Sequence, residues 1–325
     1  MKFVMTQSVC FEALEMLDGK AEVYVADNGD PANYPDEMKD ADAIIVRIGK
    51  MDRGAIEGSP KLAVIGRPGV GFENVDVAAA TEAGIPIVIT PGTNNRSVAE
   101  HAIALMLAIS KNLVEAHTET QKGNFQAIRG AGKAFEVLGK KAGFIGLGAI
   151  GAETARLAQA LGMESLGFDP FLPREKIEAL GCVWYEKYEN MLKDCDFLSV
   201  HVPLTETTRN MITREHFWSM KKTAVVINCA RGGIVNEAAL IEALEKGLIA
   251  GAGIDVFETE PPDTGNPLFR TKNLVCSPHS AAQTREAVTA MHTMCVEGCL
   301  AVLDGKKWPH VADGNVYNHP RWKGK

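Results

Sequence analysis

Four segments place a polar or charged side chain just beyond an apolar run. "FLSVHVPLTETT" brings His201, "AVVINCARGG" brings Arg231, "AGIDVFETEPP" brings Asp255 and Glu260, and "NLVCSPHS" brings His279. Open parallel sheets bind ligands at the carboxyl ends of their strands, so these groups would gather on one rim. An arginine, a glutamate and a histidine suffice there to reduce a 2-keto acid. Arg231 would bind the carboxylate and polarise the carbonyl oxygen, on which negative charge builds. His279 would give the proton in reduction and take it back in oxidation. Glu260 would favour the imidazolium and fix the ring orientation. The chemistry needs no metal.

Hydride must come from elsewhere, and two glycine-rich turns bear on its source. In "FIGLGAIGAETA" a strand leads into Gly146, Gly148 and Gly151 and a helix follows. The first glycine permits the tight turn, the second lets a pyrophosphate approach, and the third lets the helix pack closely. The amides around Ala149 and Ile150 open the helix and suit phosphate. The next strand, "SLGFD", ends in Asp169, eighteen residues after Gly151, where an acid pairs with a ribose 2′-hydroxyl and repels a 2′-phosphate. The nearest base is Arg174, so the expected cofactor is NAD rather than NADP. The other turn, "VIGRPGVGFENVD", lacks such an acid, since its next strand ends in Thr90. Its amides at Val70 and Gly71 would suit a small anion such as a substrate carboxylate.

These turns imply a particular scaffold. Apolar runs "KFVM", "AEVYVA", "AIIV", "LAVIG" and "IPIVIT" alternate with helical patterns in the first ninety residues. A second series begins near Ala142 with "GFIG", "SLGFD", "FLSVHV", "AVVINCA", "AGIDVF" and "NLVCS". Strands apolar on both faces, separated by helices, imply parallel sheets covered on both sides. The expected fold class is α/β, with two Rossmann-like, doubly wound parallel-sheet domains. Between them, Ser97 to Gln121 reads as one long connecting helix opened by a capping box of Ser97 and Glu100. "KGNFQAIRGAGKAFE" reads as irregular. A final helix runs from Thr284 to about Leu303, and the polar tail after it receives no role.

Composition limits the partners. The 325 residues suit about two domains, and the net charge of −7 argues against nucleic acid or an anionic membrane. No apolar run reads as a bilayer span, and the N-terminus does not read as a signal peptide, so a cytoplasmic protein is expected. The seven cysteines are odd in number and scattered, as free thiols would be. His292, Cys295 and Cys299 share a helix face but lack a fourth ligand, so no metal site is assigned.

Taken in order, "RPGVGFENVD", "PGTNNRSVAEHAIALMLA", "GLGAIG" with Asp169, "HVPLTETT", "NCARGGIVNEAAL", "GAGIDVFETEPP" and "CSPHSAA" resemble the D-isomer-specific 2-hydroxyacid dehydrogenase family over nearly the whole chain. The resemblance implies Arg231, Glu260 and His279 as the catalytic set, Asp255 near the nicotinamide carboxamide, and Cys229 and Ala230 lining the cofactor. The strand-end segments further offer His201, Pro203, Thr208 and Ala281 to NAD. It implies carboxylate binding at Val70 and Gly71, and a homodimer formed through the NAD-binding domain. It also returns the last helix to the first domain. The expected division is a discontinuous, flavodoxin-like substrate-binding domain (1–98 and 288–325) and an NAD-binding Rossmann domain (99–287).

"VRIGKMD" and "RPGVGFENVD" most resemble phosphoglycerate dehydrogenase-like members without a regulatory domain, in which an arginine matching Arg47 reaches the anionic end of the substrate. The expected activity is therefore NAD-dependent reduction of a small 2-keto acid. Phosphoglycerate dehydrogenase and hydroxypyruvate or glyoxylate reductase are the alternatives within that class. A different class is also open: C-terminal binding protein corepressors keep the Arg, Glu and His yet act through protein partners. Pro68, Phe72, Glu73 and Ser280 depart from the family pattern. So does Ala282, which stands where D-lactate-type members often have Trp and would leave room for a larger substrate.

Overall fold

A computed structural model of the chain describes residues 1–26 and 29–324. By its contacts the chain divides into a first unit, residues 1–94 and 284–325, and a second unit, residues 95–283.

The first unit is built on β1 (Lys2–Met5), β2 (Glu22–Val25), β3 (Ala43–Ile45), β4 (Val64–Arg67) and β5 (Ile87–Ile89). They pair in parallel in the order β2-β1-β3-β4-β5, the flavodoxin-like order. Phe3, Met5, Ala43 and Ile45 face one side of the sheet and Val4, Ile44 and Ile65 the other, and both sets are fully buried. That is why these strands read as unbroken apolar runs. Thr284 caps the last helix, Arg285–Leu303, by accepting the Ala287 amide, and the helix packs on β4 and β5. By length and composition this helix would suit a bilayer, which the run-length reading did not expect; here Met291, Cys295, Val296 and Cys299 are buried within the unit. The tail acquires a role. The Ile89 amide donates to the His310 carbonyl and the Ala312 amide to that of Ile87, so the tail covers the open edge of β5. Trp322, 3% exposed, enters the core and donates to the Gly84 carbonyl.

The second unit carries β6 (Lys141–Ile145), β7 (Glu164–Phe168), β8 (Cys182–Trp184), β9 (Phe197–Val200), β10 (Val225–Asn228), β11 (Gly251–Ile254) and β12 (Leu274–Cys276). All pairings are parallel, in the order β12-β11-β10-β9-β6-β7-β8. The order reverses between β6 and β9, so a crevice opens at their carboxyl ends. The expected long helix is two helices, Asn95–Ser110 and Leu113–Gln121, bent by 59°. The break falls at Asn112, whose φ of 52° lies in the left-handed region that asparagine tolerates better than most residues. The capping box is also absent. Ser97 lies inside the helix and its hydroxyl donates to the Ala281 carbonyl at 2.6 Å, while Glu100 pairs with Arg96. Within the stretch read as irregular, Phe125–Gly130 forms a short helix.

Candidate functional site

The carboxyl rim of the second sheet is built from its glycine turn outward. Gly146 turns at φ 87° between β6 and the helix Ala149–Ala160. A Cβ on Gly151 would lie 2.0 Å from the Gly146 carbonyl oxygen, so the helix can dock on the turn only with glycine there. At Gly148, the N-cap, a Cβ would meet nothing within 4 Å. The turn thus has an open side, onto which the first amides of the helix, at Ala149 and Ile150, present no helical acceptor. Asp169 follows β7. Its Oδ2 accepts the Leu147 amide at 2.8 Å and its Oδ1 the Phe171 amide at 2.9 Å, which fixes the acid beside the turn. Arg174 pairs with Glu178 and stacks on Trp184. An open amide cradle with a fixed acid beside it fits a dinucleotide without a 2′-phosphate.

β9 continues into His201, whose ring stacks on Phe144 and hydrogen-bonds Ser199 at 2.9 Å. Burial pushes this imidazole down to about 4, so it is neutral. Beyond it the Thr208 hydroxyl donates to the Pro203 carbonyl at 2.6 Å and shapes that loop. β10 ends at Asn228, which holds the next turn from both sides: its Oδ1 accepts the Ala230 amide and its Nδ2 donates to the Arg231 carbonyl. Cys229 is buried, and burial raises its thiol well above the ordinary value. The turn passes so close to the next strand end that a Cβ on Gly232 would fall 1.8 Å from the Phe257 carbonyl oxygen.

β11 and β12 deliver the acid–base pair. His279 Nδ1 and Glu260 Oε2 are 2.6 Å apart, and Glu260 Oε1 accepts the Phe257 amide at 3.0 Å. Burial pushes the Glu260 carboxyl up. The His279 hydrogen bond, the Phe257 amide and the charges of His279 and Arg231 outweigh this and hold it below the usual carboxylate range. An apolar cavity of about 340 Å³, walled by Phe257, Pro261, Pro262, Phe269 and Pro278, adjoins the pair. His279 has φ 52°, an uncommon conformation for this residue, held by its amide donating to the Asp255 carbonyl at 2.7 Å.

Asp255 itself is fully buried. Its carboxylate accepts the Ser277 hydroxyl (2.6 Å) and the Ser280 and Ala281 amides (2.8 Å each), and thereby sets the loop that carries His279. His101 adds to this anchor through Ser277 at 2.8 Å. His101, Ser277, Asn228 and Gly232 are the site residues that sequence reasoning missed. Each lies in a segment that carries the family resemblance, but spacing alone does not show its role, because each acts on a partner brought near by the fold.

Arg47, Val70 and Gly71 belong to the first unit. Gly69 is clamped by Thr90, whose Oγ1 accepts its amide at 2.7 Å. Among the described residues, no protein acceptor takes the amides of Val70 or Gly71. His292, Cys295 and Cys299 share the buried face of the last helix, with both sulfurs against Gly66. Among the described residues no group of three such side chains could hold a metal ion.

The fold and site define a dinucleotide-binding α/β chain with a carboxylate-paired histidine. Comparison sharpens that class. Residues 103–281 match the family model described as D-isomer specific 2-hydroxyacid dehydrogenase, NAD binding domain. The chain is 41% identical over 323 residues to D-3-phosphoglycerate dehydrogenase of Methanocaldococcus jannaschii, which covers 99% of this chain and 61% of that protein. It is 36% identical over 320 residues to glyoxylate reductase of Aeropyrum pernix, covering 96% and 95%. Among solved structures it resembles D-lactate dehydrogenase with NAD+ from Lactobacillus jensenii, with a TM-score of 0.78, 26% identity and coverage of 96% and 100%. The chain belongs to the D-isomer specific 2-hydroxyacid dehydrogenase family, and residues 103–281 are its NAD-binding domain.

Proposed function

We propose that the protein reduces small 2-keto acids, and oxidises the corresponding D-2-hydroxy acids, with His279 as the group that moves the proton. The observation carrying this reading is the 2.6 Å pairing of His279 with Glu260 on the sheet rim that also bears the dinucleotide turn. NAD, held by the turn at Gly146, Gly148, Ala149, Ile150 and Gly151 and by Asp169, would supply hydride chemistry at C2. His201, Pro203, Thr208, Cys229, Ala230 and Ala281 would line its path, and Asp255 would hold the loop beside its nicotinamide. The chain's own residues do the rest. Arg231 binds the substrate carboxylate and polarises the keto oxygen. His279 gives its proton to that oxygen, and Glu260 keeps the ring oriented and its positive charge balanced. The unspent amides of Val70 and Gly71 serve the carboxylate, and Arg47 serves an anionic group at the substrate's far end. A phosphorylated three-carbon acid, or its hydroxypyruvate and glyoxylate relatives, would meet these demands.

We also propose a cytoplasmic homodimer. The helices Leu113–Gln121 and Phe125–Gly130 bury none of their residues in the second unit and expose Leu113, Val114 and Phe125. A second copy of the chain would cover them.

The test is purified protein with NADH and a panel of 2-keto acids, followed by NADH absorbance. Turnover is expected with wild type. His279→Ala should lose at least about a hundredfold in rate while keeping its NADH affinity. Absence of turnover with every acid would favour the protein-binding role of the corepressor relatives, and full activity of His279→Ala would remove the assigned acid.

A further inference from the structure

A second polar constellation lies in the first unit, where its sheet reverses strand order. β1 and β3 are neighbours in space but not in sequence, so the loops leaving their carboxyl ends part and open a crevice. β3 runs out toward Arg47. The Arg47 amide donates to Thr6 Oγ1 at 3.1 Å, and its guanidinium donates to the Ser8 carbonyl at 2.9 Å, on the loop after β1. Two residues further along that loop, the Cys10 amide donates to His292 Nδ1 at 2.8 Å. One loop therefore fixes both the arginine and a histidine from the last helix.

Both side chains have donors to spare. His292 is 3% exposed, and with Nδ1 accepting, its hydrogen sits on Nε2. Among the described residues, no acceptor takes that hydrogen. Arg47 is partly buried, and among the described residues no carboxylate lies within ion-pair distance of it. Burial lowers its guanidinium from the ordinary value. Burial, followed by the Arg47 charge, pushes His292 down to about 4, so the ring is a neutral donor at neutral pH. Glu12, in the first turn of the helix Phe11–Glu15 that follows this loop, is held below the usual carboxylate range by its own backbone amide and by Cys10, and to a smaller extent by the Arg285 charge. A partly buried cation beside an unspent N–H, with no anion of its own, is unfavourable until an anion arrives.

We infer that His292 is a specificity residue: with Arg47 it binds an oxyanion, phosphate or carboxylate, carried by the substrate away from its reacting carbonyl. This rests on the role proposed above for Arg47. The Cys10 anchor and the free Nε2–H carry the inference.

The experiment compares wild type, His292→Ala and His292→Asn in the full chain. The readouts are kcat and KM with NADH on 3-phosphohydroxypyruvate, oxaloacetate and glyoxylate. KM for one of the two substrates with a distal anion should rise about tenfold in both variants, and which of them responds identifies the group. The kcat values and the glyoxylate constants should stay put. Asparagine keeps an acceptor for the Cys10 amide but loses the outward donor, so a merely structural histidine would be rescued by it. Rescue by asparagine, an equal loss on glyoxylate, or no change on either anionic substrate would overturn the proposal. If wild type reduces none of the three acids, the enzymatic reading fails. Calorimetric titration with 3-phosphoglycerate and with glycerate then decides this site alone. A preference for 3-phosphoglycerate that both variants lose supports it, and equal binding of the two ligands overturns it.

Discussion

Replacing Glu260 with glutamine tests the site at its most specific contact. Glu260 spends Oε1 on the Phe257 amide at 3.0 Å and Oε2 on His279 Nδ1 at 2.6 Å. A glutamine has one oxygen, and the Phe257 amide needs it, because a buried N–H without an acceptor is costly. The side-chain NH2 must then face Nδ1. Two donors cannot face each other, so Nδ1 becomes an acceptor and the imidazolium loses its partner. A hydrogen bond to an ionised group contributes about 1.5–3 kcal/mol. The pair is partly solvated, with side chains 47% and 34% exposed, which argues for the lower end of that range. About 1.5 kcal/mol corresponds to roughly a tenfold loss in kcat/KM for keto-acid reduction.

Stability should hardly move: the neighbours that favour the Glu260 carboxylate outweigh its burial, so its loss removes a small stabilising contribution, one that solvent already screens at a side chain 34% exposed. The assay is steady-state reduction with NADH at neutral pH, with a thermal melt and an NADH titration alongside. A tenfold kinetic loss with unchanged melting and unchanged NADH affinity is expected. Activity within twofold of wild type would show that the 2.6 Å contact does nothing for proton transfer, and the acid assignment would fall with it.

Asp169→Ala should weaken NADH more than NADPH and move the kcat/KM ratio toward NADPH; an unchanged ratio would sink the ribose argument. Gly151→Ala forces a methyl to within 2.0 Å of the Gly146 carbonyl oxygen. It should cost about 1–3 kcal/mol of stability and weaken NADH, as a melt and a fluorescence titration would show; wild-type values in both would refute the docking argument. Acidification should destabilise both units. His201 and His292 are held near 4, against 6.5 for an ordinary histidine. The unfolded chain therefore takes up protons below pH 6.5 that the folded chain refuses until about pH 4, and stability falls across that window. Each contributes at most about 2 kcal/mol between pH 6.5 and 5, read as a drop in urea midpoint; equal midpoints at pH 7 and pH 5 would contradict it.

The parallel sheets and the dinucleotide turn were legible because both are local. A strand buried on two faces must be apolar throughout, and a turn that docks a helix must carry glycine at set intervals, so each leaves its mark within a dozen residues. β8 leaves no such mark. It has three residues at the sheet edge, with Val183 exposed, and its pairing with β7 supplies most of what defines it. The long connecting helix misled for a related reason. Its apolar spacing continues past Ser110, and only the left-handed Asn112 reveals the bend.

What the chain separation hides most is the work of buried polar groups. The family resemblance implies Asp255 near the nicotinamide carboxamide. Its carboxylate accepts Ser277, Ser280 and Ala281, while its carbonyl accepts the His279 amide. Four donors from one loop converge on one buried residue, and the histidine at the loop's centre is held in a conformation it would otherwise seldom adopt. Such a loop can keep its acid–base ring on Glu260 without help from substrate. Ser280 then has a reason to differ from the family pattern. It contributes its backbone amide to Asp255, a task that any residue except proline performs, so this contact demands no particular side chain at position 280.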